Sequence, residues 1–96
     1  MKSEVTMIRE LIELVESEGV GRSLEVYKRK NDDSWKKLDN DIKDTIDILY
    51  YGDIEEEDRK RLVLDYLKYT ERYMKELDAI VADYNECARK VIAQRG

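Results

Sequence analysis

The stretch DIEEEDRKRLVLDYLKYTERYMKELDAIVADYNECARKVIA (residues 53–93) contains no Gly and no Pro, and its reading decides the fold. Apolar or small residues recur along it at alternating spacings of four and three: Val63, Leu67, Thr70, Met74, Leu77, Val81, Tyr84, Ala88 and Val91. That period places them on one face of a single long α-helix. The start carries its own signature. Asp53 can cap free backbone N–H groups, and Glu56, three residues on, completes a capping box. Glu55, Glu56, Glu57 and Asp58 sit where the positive end of the helix dipole favours anions. Glu55–Arg59, Glu56–Lys60 and Glu57–Arg61 are spaced for i,i+4 ion pairs.

The flanks of that seam decide what kind of helix it is. With Leu67 as heptad position a, the g positions are Tyr66, Tyr73, Ile80 and Cys87, none of them charged. A two-stranded coiled coil places charges there. An apolar stripe of this width predicts instead a helix buried against two neighbours. Cys87 then reads as a small buried hydrophobe. Tyr66, Tyr69, Tyr73 and Tyr84, with Tyr50 and Tyr51, suit either a core edge or an interface.

Working outward, residues 3–18 predict a first helix, capped by Ser3 and stopped at Gly19, with Val5, Ile8, Leu11, Ile12 and Val15 on one face. Residues 22–30 read as a short helix in which Val20, Leu24 and Tyr27 share a face, or alternatively as a short strand. Asn31 to Ser34 form a turn and capping cluster. Residues 34–51 predict the next helix, burying Trp35, Leu38, Ile42, Thr45, Ile46 and Leu49, with Gly52 as its stop. The long helix is expected over 54–93. The fold class is therefore all-α: a small bundle of three main helices plus a short one, in a single domain over 1–96. At 1.5 Å per residue the last helix spans roughly 60 Å and the first and third about 25 Å each. Part of its stripe is then left for another chain, and self-association through Leu77, Val81, Tyr84, Ala88 and Val91 is expected, as a homodimer.

The net charge of −5 is unevenly spread. Residues 38–58 hold one basic residue against nine acidic ones, while residues 20–37 hold six basic against three acidic. In the acidic block Asp41, Asp44 and Asp47 rise along one helix face, with Asp53 beyond. Such a face suits a basic protein partner, a divalent metal or plain solvent; metal sites draw carboxylates from several elements, and none is identifiable. Arg22, Lys28, Arg29, Lys30, Lys36 and Lys37, interleaved with Tyr27 and Trp35, suit nucleic acid. The acidic total opposes that reading, because it works against phosphate attraction.

Catalysis finds little support. Without histidine, His-based hydrolysis is excluded. Glu55-Glu56-Glu57-Asp58-Arg59 lacks the final Glu of the EExxE motif of helical nucleotide pyrophosphohydrolases. No cofactor or metal is expected. Residues 1–20 interleave charged and apolar side chains, unlike a secretion leader. No apolar run is long enough for a membrane span. With a single cysteine, a reducing, cytoplasmic setting is expected. The absence of proline beside abundant Lys, Arg and Glu leans toward a heat-adapted source. The resulting expectation is a non-catalytic helical interaction module that binds a protein partner, as small virus- or mobile-element-encoded adaptors and inhibitors do. A nucleic-acid-binding regulator using residues 19–37 and a self-assembling structural subunit are the alternatives.

Overall fold

In the computed structural model, which describes residues 2–95, five helices follow one another: α1 (Glu4–Glu18), α2 (Ser23–Lys30), α3 (Asp32–Lys36), α4 (Asn40–Tyr51) and α5 (Glu56–Arg95). Met1 and Gly96, the ends of the expected domain, lie outside the described residues. The fold is all-α, and no strand forms among the described residues, so residues 23–30 are helix.

α1 forms as its sequence dictates. The Ser3 hydroxyl accepts from the Thr6 N–H at 3.2 Å, satisfying one orphan donor of the first turn. Met7, Ile8, Leu11, Ile12 and Val15 are buried on one face. The helix stops at Gly19, whose φ of 84° is open to a residue without Cβ, and whose N–H donates to the Val15 carbonyl at 2.9 Å. α2 returns across α1 and buries Leu24 and Tyr27. The Tyr27 hydroxyl reaches the Met7 carbonyl at 3.3 Å and Glu10 at 3.2 Å.

The expected helix over 34–51 is two helices. α3 carries Trp35, which packs edge-on to Tyr27 with ring centroids 6.5 Å apart. After Lys36 the N–H groups of Lys37 and Leu38 turn back onto the Ser34 and Trp35 carbonyls, a tightening that ends the helix. Asp39 then starts α4: its carboxylate accepts from the N–H groups of Asp41 and Ile42 at 2.9 and 3.3 Å. A strong N-cap residue inside an apolar periodic run broke the helix, and the apolar period bridged the break because Leu38 is buried in the turn itself.

The start of α5 also differs from expectation. The helix begins at Glu56, and the N–H groups of Asp58 and Arg59 donate to the Glu55 carbonyl. No capping bond from Asp53 forms among the described residues. The Glu56 carboxylate turns instead to Arg59 at 2.9 Å. Of the three expected i,i+4 pairs none forms; Arg61 pairs with Asp58 at 3.3 Å and lies 3.9 Å from Asp65.

Arg59 explains the rearrangement. It is only 9% exposed, and its guanidinium donates to the carbonyls of Leu49 and Tyr50 at 2.7 Å, Gly52 at 2.9 Å and Ile54 at 3.1 Å. Those acceptors include the orphan carbonyls at the end of α4. One side chain therefore caps α4, fixes the α4–α5 connection and sets the direction in which α5 leaves.

α5 lies antiparallel to α1, with Glu16 opposite Lys68, Arg9 opposite Glu71, and Val5 level with Met74 and Leu77. α1 and α4 cover Val63, Leu67, Thr70 and Met74. From Lys75 to Arg95 every residue is exposed. The molecule measures 59 × 25 × 22 Å, with a radius of gyration of 17.1 Å. A compact chain of this length has about 12–13 Å, and the difference is the projecting half of α5.

Candidate functional site

The projecting half of α5 is amphipathic and uncovered. Leu77 is 45% exposed, Val81 49%, Val91 50% and Tyr84 75%, with Ile80 and Ile92 beside them. Ala88 lies on the same stripe and is exposed too. The expected self-association residues are thus brought together on one face. Cys87, expected to be buried, is exposed, because among the described residues neither of the two neighbours that the wide stripe implied reaches this level. The same reason leaves Ile80 open.

At the point where α5 leaves the bundle, a groove of about 530 Å³ opens between it and the N-terminal ends of α1 and α4. Ile42, Thr70 and Met74 lie along it, Tyr66, Tyr69 and Tyr73 form one wall, and Glu4, Asp39 and Asp41 supply acid on the other. This combination was not readable from the sequence. Glu4, Asp41 and Tyr69 are far apart in the chain, and only the packing of α1 and α4 on α5 aligns them. Arg59 was likewise missed as a capping side chain, since the first residue of a basic run four positions after an acidic one looks like an ion-pair partner.

The acidic stripe is divided by the structure. Asp41, Asp44 and Asp53 are exposed. Asp47 is half-buried and paired with Lys28 at 2.7 Å, tying α4 to α2. The basic segment divides in the same way. Lys28 also lies 5.1 Å from the Trp35 ring centroid, a cation–π contact. Lys36 pairs with Asp32 at 2.9 Å, and that carboxylate raises its pKa. Arg22, Arg29, Lys30 and Lys37 remain exposed. The segment is therefore partly committed to internal pairing.

Two buried tyrosines have perturbed hydroxyls. Burial, then the charge and hydrogen bond of Glu10, pushes the Tyr27 pKa well above the ordinary value. Burial also raises Tyr50, whose hydroxyl lies 3.1 Å from the Ser23 Oγ. Both act as hydrogen-bonded core groups. Among the described residues no cluster of three or more acidic, His or Cys side chains is arranged to hold a metal ion, and no helix is long and apolar enough to cross a membrane. No protein family, curated protein or solved structure matches the chain.

Proposed function

We propose that the chain is a non-catalytic helical protein-interaction module, in which the N-terminal bundle is the platform and the projecting half of α5 is the binding element. One observation carries this reading: about twenty residues of amphipathic helix present an apolar face that no other described element covers. Exposed apolar patches of this size mark interaction surfaces, because leaving them in water costs free energy that association recovers. Helix-in-groove or helix-on-helix docking is the mode that fits a stripe at i, i+3/i+4, i+7 spacing. The acidic rim of Glu4, Asp39 and Asp41 beside the stripe favours a partner helix with basic residues at its end.

The test is site-specific photo-crosslinking in cells, with the photoreactive residue at Val81 in one variant and at Lys60, on the exposed side of the bundle half, in another. Protein adducts are expected at Val81 and not at Lys60. Absence of adducts at Val81, or equal yields at the two positions, would overturn the reading.

A further inference from the structure

We infer that the occupant of the projecting face is a second copy of this chain, docked antiparallel, with the two-fold axis passing near Glu86. The inference rests on the interaction reading above and specifies its partner.

The stripe that binds the second copy is the continuation of the one that binds α1. Val63, Leu67, Thr70 and Met74 are already covered within the chain. A parallel, in-register pair would require those residues to face each other through α1 and α4, which is sterically impossible. An antiparallel pair overlapping only beyond Met74 meets no such obstacle. The second copy's helix then runs in the direction of α1 and extends its line, because α1 is itself antiparallel to α5.

Charge selects the same orientation. Residues 76–86 carry Glu76, Asp78, Asp83 and Glu86 with no base, and residues 87–95 carry Arg89, Lys90 and Arg95 with no acid. Parallel packing sets like ends together; antiparallel packing sets each acidic half against a basic one. Asp78, Asp83 and Arg89 have no ion-pair partner among the described residues, and only the weak Glu86–Lys90 approach at 3.6 Å competes.

Register follows from heptad geometry and volume. Antiparallel helices pack a positions against d positions. One such register sets Val91 of the second copy onto Met74, which is only 9% exposed, and is blocked. The next sets Val81 opposite Val91 of the second copy and Tyr84 opposite its Ala88, a large residue over a small one. In that register Asp83 and Lys90 fall at outward-facing c positions, whereas Asp78, at e, lies beside Arg95 of the second copy. Arg95 of the second copy then reaches the end of the bundle, where Glu4 and Asp78 line a depression. From the exposures, each chain leaves roughly 600 Å² of apolar side chain open on this face, so complete burial in the pair removes at most about 1,200 Å², the lower edge of the range of specific interfaces.

The test uses two single-cysteine proteins, C87S/V81C and C87S/V91C, mixed in equal amounts and oxidised under redox buffer. The mixed disulfide between positions 81 and 91 is expected to dominate over both symmetric ones. In a second measurement, Asp78→Lys is expected to weaken dimerisation seen by sedimentation equilibrium by roughly tenfold, as two symmetric ion pairs with Arg95 become repulsive. Arg95→Asp in the same chain is expected to restore it, a recovery that a merely unfolded variant cannot show. Symmetric 81–81 and 91–91 products, no rescue, or a monomeric wild type at all concentrations would each overturn the inference. A monomer that still forms adducts to a foreign protein at Val81 overturns this inference alone and leaves the interaction reading standing.

Discussion

Replacing Arg59 by Met keeps most of the side-chain volume and removes every donor. Four carbonyls lose their partner, those of Leu49, Tyr50, Gly52 and Ile54. A hydrogen bond from a charged donor contributes about 1.5–3 kcal/mol, and a buried acceptor left unpaired costs about 1–3 kcal/mol. These contributions do not add here, because the acceptors share one guanidinium and three of the four bonds are only partly buried. Removing the desolvated charge also returns some free energy. The net expectation is a loss of about 3–4 kcal/mol, a large share of the 5–15 kcal/mol typical of a domain. Urea denaturation followed by circular dichroism reads it directly, and the melting temperature should fall by about 15–25 °C. Arg59→Lys keeps the charge but not the planar fork, and should lose about 2 kcal/mol. If Arg59→Met stays within about 1 kcal/mol of wild type, the guanidinium is not what joins α4 to α5, and the argument for its capping role fails.

A Cβ at Gly52 would collide with the Ile48 carbonyl oxygen, a backbone atom that cannot swing aside; Gly52→Ala should cost about 2 kcal/mol in the same denaturation assay, while Gly21→Ala, with open space around it, should be neutral or slightly stabilising. Tyr27 and Tyr50 have folded-state pKa values raised above 10, so the unfolded chain releases protons first; stability is complete below pH 10 and falls as pH rises above it. Tyr27→Phe should cost about 1 kcal/mol at neutral pH and flatten the alkaline slope by about 1.4 kcal/mol per pH unit in denaturant titrations. Asp41→Asn and Asp44→Asn should leave the melting temperature unchanged or slightly higher, whereas Asp47→Asn, which loses the Lys28 ion pair, should cost up to about 1 kcal/mol.

The sequence by itself determined the elements whose causes are local. The seam from Val63 to Val91, the α1 face, the stops at Gly19 and Gly52, the Ser3 cap and the burial of Trp35 all follow from residues a few positions apart. Period, capping and glycine geometry act at that range. The break at Lys37–Asp39 is local too, but two local signals compete there. The apolar period ran through Leu38 while Asp39 offered a cap, and only the packing of Trp35 and Leu38 into the core settles which prevails.

Tertiary structure alone decided the rest. Nothing in the chemistry of the stripe distinguishes Met74, which α1 covers, from Val81, which no described residue covers; the difference is where α1 begins in space. The commitment of Asp47 to Lys28, the four carbonyls gathered on Arg59 and the groove that joins Glu4 to Asp41 and Tyr69 depend in the same way on residues remote in the chain. A helix face is written in its own sequence, because side-chain direction repeats with the backbone. What lies against that face is set by the lengths and crossing of other helices, and so the second half of α5 became an exposed apolar face only once the fold was assembled.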